Sequence, residues 1–203
     1  MKSLTTLLAA ALLGIVTGPV LAKAVVGESA PDFSATDTHG KPQSLAAYKG
    51  KTIVLEWTNP GCPFVQKHYG AGNLQVQQGE ATAAGVVWLS INSGAAGKEG
   101  NLDAAAANAW VAKNGAKPSG YILDGDGSIG HLYGAKTTPH LFVIDAKGVL
   151  RYAGGIDSIP STDQGDIAKA VQYVRQALAE LAAGKAVSVA TAQPYGCSVK
   201  YGS

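Results

Sequence analysis

The sequence has few of the residues that several large classes of protein require. It contains two cysteines, Cys62 and Cys197, so a four-cysteine zinc site and a disulfide-dense scaffold are both excluded. Sixteen lysines and arginines stand against 14 acidic residues, the net charge is +2, and no run of basic residues occurs. Such a chain has no electrostatic field that would attract nucleic acid or an anionic membrane surface.

The chain is nevertheless long and apolar enough to fold around a core of its own. Its 203 residues are enough for one ordinary domain and short for two, and 46% of them are hydrophobic. Only 15% are charged, and this composition excludes a chain that is disordered throughout. No internal repeat and no linker divides the sequence, so we expect one principal domain.

Residues 1–22 have the pattern of a secretory signal peptide. A positive start at Lys2 precedes a largely apolar stretch over residues 4–16, and Gly18-Pro19 interrupts the helix before the small residue Ala22. The stretch is shorter than the ~20 residues that a membrane span needs, and a retained anchor is the alternative. We expect cleavage after Ala22 and a periplasmic or secreted chain with no membrane contact. In that oxidising compartment a cysteine pair forms a disulfide for at least part of the time.

From residue 23 onward the hydrophobic pattern alternates between strands and helices. Strands are predicted at residues 33–37, 43–45, 52–57, 85–92, 121–123, 141–145 and 149–152, and helices at residues 63–78, 102–114 and 163–183. The first two strands flank a turn at residues 39–42 and read as a hairpin. Residues 185–203 are predicted to form an irregular tail. This order of elements is typical of an α/β sandwich.

Cys62 lies where a reactive thiol is favoured. It follows the predicted strand that ends at Trp57 and directly precedes Pro63, a residue suited to the first turn of a helix. The amino end of a helix carries partial positive charge and unpaired N–H groups, which stabilise an anion. Such placement lowers a thiol pKa from about 8.5 into roughly the 3.5–7.5 range. We therefore predict a nucleophilic thiolate, and the alternative is a cysteine that serves as a small buried hydrophobic residue.

Four segments along the chain carry a family resemblance. In order they are Ala30-Pro31-Asp32-Phe33, Gly50-Lys51, Glu56-Trp57-Thr58-Asn59-Pro60-Gly61-Cys62-Pro63-Phe64 and Thr138-Pro139-His140-Leu141-Phe142-Val143-Ile144-Asp145. With them, residues 27–181 resemble the thioredoxin-like redoxins of the alkyl hydroperoxide reductase and thiol-specific antioxidant (AhpC/TSA) superfamily. The resemblance implies a thioredoxin-like three-layer α/β sandwich over residues 23–184 with an N-terminal β-hairpin extension. The tail at residues 185–203, which carries Cys197, lies beyond it.

The resemblance also implies roles for individual residues. Pro139 matches the cis-proline that faces the nucleophilic cysteine, here Cys62. Glu56, six residues before Cys62, matches the buried acid that moves protons in thioredoxins. A buried carboxyl has a raised pKa and can act as a general base. The alternative is a carboxylate at the edge of a sheet that is paired with a lysine.

The predicted site departs from both kinds of relative. Thioredoxins carry Cys-x-x-Cys, whereas the second position here is Val65, which cannot form a disulfide. Peroxidatic peroxiredoxins carry Pro-x-x-x-Thr/Ser-x-x-Cys, whereas Asn59 stands three residues before Cys62 and Thr58 is one place too early. Pro139 occupies the place of the peroxiredoxin arginine. The departures indicate a thioredoxin-like site that lacks half of its dithiol, and they count against peroxidase activity.

Cys197 is the natural partner for Cys62, because an exported chain with two thiols offers no other. We predict that the tail folds back so that Cys197 resolves intermediates formed on Cys62. The alternative is a purely structural disulfide. Closing a loop of 135 residues between positions 62 and 197 adds roughly 4–5 kcal/mol in the chain-entropy model, and it requires no redox cycling.

The predicted function is that of an exported thiol-disulfide oxidoreductase that uses Cys62, Cys197, Glu56 and Pro139. Its substrate is expected to be a protein or small-molecule thiol, disulfide or peroxide, and an external thiol is expected to reduce it. No cofactor and no metal is predicted. The main alternative is a non-catalytic thioredoxin-like binding module held by a structural Cys62–Cys197 disulfide. A third reading is a copper chaperone that uses Cys62 and His68, although Lys67 and His68 are expected to face solvent.

Overall fold

The computed structural model describes residues 23–202, and the predicted signal peptide at residues 1–22 lies outside that range. None of the helices in the described range has the length and apolarity that crossing a membrane requires. In chain order the strands and helices are β1 (Ser34–Thr36), β2 (Pro42–Ser44), β3 (Ile53–Trp57), α1 (Pro63–Gly70), α2 (Asn73–Ala83), β4 (Val87–Asn92), α3 (Ala104–Lys113), β5 (Gly120–Leu123), α4 (Ser128–Tyr133), β6 (Thr137–Thr138), β7 (His140–Ile144), β8 (Leu150–Gly154), α5 (Tyr173–Ala182) and β9 (Cys197–Ser198).

A five-stranded sheet with the order β5-β4-β3-β7-β8 forms the centre of the protein. Strands β3, β4 and β5 run parallel, β7 is antiparallel to β3, and β8 is antiparallel to β7. Residues of α1, α2 and α5 pack on one face of the sheet, and residues of α4 and the β1-β2 hairpin pack on the other. Because both faces are covered, β3, β4 and β7 are buried along their whole length, and apolar residues predominate in all three. The predicted thioredoxin-like sandwich with an N-terminal hairpin is confirmed.

The alternation of side chains along β3 decides which residues approach the candidate site. Ile53, Leu55 and Trp57 point into the cluster on the α4 side of the sheet. Val54 packs into the opposite cluster, together with side chains of α1 and α2. Glu56 shares the face of Val54, and it therefore lies on the side of the sheet that α1 covers.

The helix predicted over residues 63–78 is interrupted. Helix α1 ends at Gly70, and α2 begins at Asn73. Gly72, between them, has φ +74°, a left-handed conformation that glycine adopts without steric cost and that ends a right-handed helix. The prediction of one helix was therefore wrong, because two consecutive helices were read as one across the break at Gly72.

The helix predicted over residues 163–183 is largely wrong in its first half. A 3-10 turn occupies Gln164–Asp166, and α5 begins only at Tyr173. Between them the chain is tied to Ser158, whose side chain accepts a hydrogen bond from the Val171 N–H at 2.9 Å and whose N–H donates to the Val171 carbonyl at 3.1 Å. Val171, which the prediction placed on the apolar face, is 50% exposed. The spacing of apolar residues predicted a helix here, but these local hydrogen bonds hold the segment in an irregular conformation.

The other predicted strands and the helix at 102–114 are confirmed, with bounds that differ by at most two residues. Helix α4 was not predicted. It has six residues and lies between Gly127 and Gly134, which both have left-handed backbone conformations. A helix this short contains too few residues for a hydrophobic period to be recognised.

As predicted, residues 185–202 are irregular in secondary structure except for the two-residue strand β9, but hydrogen bonds tie the tail to the domain at several points. It first runs beside β8, where the Ala153 N–H donates to the Ala190 carbonyl at 3.1 Å. It then forms β9, which pairs antiparallel with β6. Farther on, the Lys200 carbonyl accepts a hydrogen bond from the Ala95 N–H at 2.9 Å, and the Tyr201 hydroxyl donates to the Ala135 carbonyl at 2.9 Å. The tail therefore returns to the carboxyl end of β3.

Candidate active site

Cys62 lies at the junction between β3 and α1. It has an extended backbone, φ −77° and ψ 122°, and it precedes Pro63 at the first position of α1. The preceding turn is held by Asn59, whose carbonyl accepts from the Cys62 N–H at 3.0 Å and whose side chain accepts from the Gly61 N–H at 2.8 Å. The Cys62 side chain is completely buried. The sulfur therefore stands at the amino end of a helix and has no surface exposed to bulk solvent.

Thr138 connects Cys62 to the loop before β7. The Cys62 thiol donates a hydrogen bond to the Thr138 carbonyl at 3.0 Å. The peptide bond between Thr138 and Pro139 is cis, as the family resemblance implied. Pro139 itself directly precedes β7. The backbone of this loop therefore forms one wall of the site around the Cys62 sulfur.

Cys197 reaches the same wall from the tail. In the β6-β9 ladder Cys197 is the register partner of Thr138, the residue whose carbonyl accepts from Cys62. Gly196 has φ +133°, and a Cβ atom there would overlap the Thr138 carbonyl oxygen. Only glycine therefore permits this approach of the tail. Both cysteines are free thiols in the structure, and they pack in the same cluster of side chains.

The pKa values of the two thiols shift in opposite directions. Burial raises the pKa of the Cys62 thiol, but the polar groups of Cys197, Thr138 and the Val65 backbone around the sulfur outweigh it, so its pKa is lowered. Burial raises the pKa of the Cys197 thiol, and its interaction with Cys62 and the negative charge of Glu99 raise it further. Of the pair, Cys62 is therefore the thiol that ionises first.

Glu56 lies completely buried beneath α1 and α2. One carboxylate oxygen accepts from the Tyr69 hydroxyl at 2.9 Å. The other accepts from Gln78 Nε2 at 3.0 Å, Trp88 Nε1 at 2.7 Å and Ser90 Oγ at 3.1 Å. Burial raises the pKa of this carboxyl, and these hydrogen bonds oppose the shift.

This geometry bears on the two interpretations of Glu56, a general base and an edge carboxylate paired with a lysine. The alternative of an edge carboxylate paired with a lysine is wrong, because Glu56 lies in the central strand β3 and its partners are neutral. Its role as a general base stays a prediction. Among the described residues, none of the hydrogen bonds of Glu56 joins it to Cys62.

Lys67 and His68 are buried in α1, so the prediction that they face solvent was wrong. Lys67 Nζ donates to the Ile159 carbonyl at 3.2 Å, and it lies 3.8 Å from Asp157 Oδ2. The two ring nitrogens of His68 are engaged by Asn73 at 2.9 Å and by the Tyr195 hydroxyl at 3.3 Å. Burial lowers the pKa of His68 to about 4, with Lys67 acting in the same direction and Asp157 opposing it. The ring is therefore neutral near pH 7.

Sequence reasoning missed Asp157 and Tyr195, which complete this cluster. The Tyr195 hydroxyl donates a short hydrogen bond to Asp157 Oδ1. The Tyr195 ring also packs edge-on against Phe64, with 5.7 Å between ring centroids. The one available signal was the position of Tyr195, an aromatic residue two places before Cys197 in a polar tail.

In residues 23–202 no group of three or more histidine, cysteine or acidic side chains is arranged to hold a metal ion. The copper-chaperone reading required His68 as a ligand beside Cys62. Both nitrogens of His68 already have hydrogen-bond partners, and neither partner is Cys62. The geometry therefore gives that reading no support.

Comparison with known proteins identifies the family. The AhpC/TSA family model matches residues 26–153, which is more than half of the chain, and the protein belongs to this family. No curated protein shows significant sequence similarity to it. The match ends before Asp157, Tyr195 and Cys197, so the family model does not cover the tail.

Solved structures share the thioredoxin-like fold. A hypothetical protein from Sinorhizobium meliloti 1021 is 24% identical, with a TM-score of 0.74 over 89% of this chain and 97% of that chain. An uncharacterized conserved protein from Geobacillus kaustophilus is 24% identical, with a TM-score of 0.72 over 88% and 93%. The thioredoxin domain of a thiol-disulfide oxidoreductase from Bacteroides vulgatus is 15% identical, with a TM-score of 0.51 over 72% and 97%. At these identities the likeness is one of fold.

Proposed function

We propose that this protein is an exported thiol-disulfide oxidoreductase whose redox-active pair is Cys62 and Cys197. One observation carries the proposal. Thr138 accepts a hydrogen bond from the Cys62 thiol and is the ladder partner of Cys197, so the two thiols lie close together although they are 135 positions apart in the sequence. The lowered pKa of Cys62 supports its role as the nucleophile.

The oxidative half of the cycle transfers two electrons from the thiol pair to the substrate. The Cys62 thiolate attacks one sulfur of a substrate disulfide, forms a mixed disulfide and releases the other sulfur as a thiolate. Cys197 then attacks Cys62 Sγ, which releases the second substrate thiol and leaves a Cys62–Cys197 disulfide. With a peroxide, attack on oxygen gives a Cys62 sulfenic acid and water (or an alcohol), and condensation with Cys197 releases a second water.

An external thiol closes the cycle, and exposure favours attack on Cys197. The Cys62 side chain is completely buried, whereas Cys197 is partly exposed. A thiolate that attacks Cys197 Sγ expels Cys62 as the thiolate, and the thiol with the lower pKa is the better leaving group. The resulting mixed disulfide on Cys197 is resolved by a second reductant thiol, which restores both cysteines.

The docked tail limits which substrates reach Cys62. Because the sulfur has no exposed surface beneath the tail, a protein disulfide requires that β9 first separate from β6. A peroxide is small enough to need a much smaller movement. Access to Cys62 and closure of the disulfide therefore depend on the same contacts of the tail.

For Glu56 we propose the role of a buried proton acceptor. Its raised pKa brings the carboxyl closer to neutrality than an exposed glutamate. Because its hydrogen bonds run to Tyr69, Gln78, Trp88 and Ser90, a proton would pass between Glu56 and the thiols through an intervening water. Export is proposed from the pattern of residues 1–22 alone.

Complete burial of Cys62 favours a second function, that of a non-catalytic thioredoxin-like module stapled by a Cys62–Cys197 disulfide. A staple protected from solvent by the tail needs no access to substrate. The two functions differ in whether the disulfide is reduced and re-formed during turnover.

Turnover by cysteine variants tests the proposal. We expect the mature protein to reduce hydroxyethyl disulfide with dithiothreitol as the donor, and we expect Cys62→Ser to abolish this activity. Cys197→Ser should slow turnover and accumulate a mixed disulfide on Cys62. The matched control is Ser198→Ala, an exposed position in the same strand β9, which should behave as wild type. Unchanged turnover in Cys197→Ser would contradict the resolving role.

A further inference from the structure

Lys67, His68, Asp157 and Tyr195 form a buried polar cluster, which we call the latch, between α1 and the tail. The side chains of Lys67, His68 and Asp157 have no exposed surface. Asp157 Oδ2 lies 3.8 Å from both Lys67 Nζ and His68 Nε2, and it receives no hydrogen bond from any described residue. The other oxygen, Oδ1, accepts from the Tyr195 hydroxyl and from the Ile159 N–H at 3.1 Å.

Such a cluster has an energetic cost that its geometry must offset. Burying a lysine and an aspartate removes both charges from water, and only close contacts and hydrogen bonds compensate for the loss. Here the ion pair is long, so the hydrogen bonds to Asp157 Oδ1 and from Lys67 matter more than the direct attraction. Tyr195 is the one member of the latch that comes from the tail. Its hydrogen bond offsets the lost hydration of Asp157 only when the tail is docked.

Tyr195 also contacts the helix that carries Cys62 at three positions. Its ring packs against Phe64, and Lys67 Nζ lies 5.9 Å from the centroid of the same ring, within the range of a cation-π interaction. Its hydroxyl lies 3.3 Å from His68 Nε2. Two residues farther along the tail is Cys197, the ladder partner of Thr138. Tyr195 therefore ties the segment that carries one thiol to the helix that carries the other.

We infer that Tyr195 is a positioning residue that holds Cys197 against Cys62 by fastening the tail to Asp157 and α1. The inference rests on the proposed pairing of the two cysteines. It identifies the contacts of Tyr195 as those that keep the two thiols close together. Gly196 permits the approach of the tail, whereas the latch supplies the attraction that maintains it. Buried ionic groups favour one arrangement over its neighbours, which suits a tail that must return to a single register.

The perturbation is Tyr195→Phe, which removes one hydroxyl and keeps the ring that packs on Phe64. The measured quantity is the equilibrium in which the protein dithiol and one oxidised glutathione give the protein disulfide and two reduced glutathiones. We expect the equilibrium constant to fall by about tenfold to a hundredfold, the fold-change that loss of a hydrogen bond to a charged group produces. A residue that only stabilises the fold would leave this constant unchanged.

A second readout is the rate at which iodoacetamide modifies Cys62 in the folded, reduced protein, measured by mass mapping. A loosened tail exposes the sulfur more often, so Tyr195→Phe should accelerate alkylation by a similar factor. The matched control is Tyr133→Phe, which removes another buried hydroxyl that donates at 2.7 Å, to the Pro31 carbonyl and not to a residue of the tail. The control should leave both the glutathione equilibrium and the alkylation rate as in wild type.

The outcomes separate this inference from the proposed function. If the wild-type disulfide forms and Tyr195→Phe matches wild type in both measurements, the inference is overturned and the proposed function stands. If wild type forms no Cys62–Cys197 disulfide, the proposed function fails, and the alkylation of Cys62 alone decides the inference. Should Tyr195→Phe unfold, Phe64→Leu weakens the same ring contact, and it should shift both quantities in the same direction by less.

Discussion

Gly196→Ala is the single substitution that should most selectively separate the tail from the active site. The backbone at Gly196 has φ +133°, which residues with a side chain rarely adopt. A Cβ atom there would lie 2.8 Å from the Thr138 carbonyl carbon and would overlap the attached oxygen. Because the contact is with backbone, no rotamer change relieves it, and either β9 or the cis-proline loop has to move.

The size of the effect follows from the free energy that the substitution removes from docking of the tail. Forcing alanine into this region costs about 1–3 kcal/mol. Withdrawing the tail also breaks backbone hydrogen bonds such as that from the Val199 N–H to the Lys136 carbonyl, each worth about 0.5–1.5 kcal/mol. A conservative sum of about 2 kcal/mol corresponds to about a thirtyfold loss in the equilibrium constant for the Cys62–Cys197 disulfide.

The assay is equilibration of the protein with mixtures of reduced and oxidised glutathione, followed by acid quenching and mass mapping of Cys62 and Cys197. Gly202→Ala is the matched control. It lies in the same tail, and the nearest atom to a Cβ there is the Ala95 Cβ at 3.7 Å, an ordinary contact. If Gly196→Ala and Gly202→Ala gave the same equilibrium constant, the argument that close approach at Gly196 sets the distance between the thiols would be refuted.

Two other predictions concern the direction of reduction and the state of Glu56. When the oxidised protein reacts briefly with glutathione, the mixed disulfide should map to Cys197 with Cys62 free, and glutathione on Cys62 would contradict the exposure argument. Burial raises the pKa of Glu56 above its ordinary 4.5, so the folded protein keeps a proton that the unfolded chain releases. The free energy of unfolding should therefore fall as pH rises above about 4.5, and the difference between wild type and Glu56→Gln in urea titrations should carry that slope. A difference independent of pH would show that the pKa of Glu56 is not raised.

Local sequence predicts well the strand, the turn and the helix start around Cys62, because neighbouring residues determine them. The run of buried residues that ends at Trp57, followed by a break and by Pro63, is enough to predict a strand, a turn and the amino end of a helix. Cys62 is located by that pattern alone. The cis-proline at Pro139 was different, because only the resemblance to the family implied it.

The features that sequence reasoning missed depend on segments that meet only in the folded protein. Lys67 and His68 belong to a short polar stretch of α1 that reads as solvent-facing. Their burial is due to Asp157, which follows β8, and Tyr195, which arrives with the tail. Nothing in the eight residues of α1 signals that a segment more than 120 positions later covers it.

Two helix predictions failed for local reasons that periodicity does not record. Gly72 ends one helix before the next begins, and the hydrogen bonds between Ser158 and Val171 hold an irregular segment where the apolar spacing suggested a helix. In the second case the spacing of apolar residues was satisfied. The backbone nevertheless had better partners elsewhere.

A redox titration of the mature protein against glutathione, read by mass-mapped alkylation, tests the central claim most directly. The account predicts a single two-electron couple that links Cys62 and Cys197 and has a reduction potential above about −300 mV, since structural disulfides in secreted proteins usually lie below that value. A bridge that resists reduction throughout the titration would contradict a cycling oxidoreductase and would favour the stapled module. If the two cysteines never pair, the proposed roles of Cys197 and of the tail are both wrong.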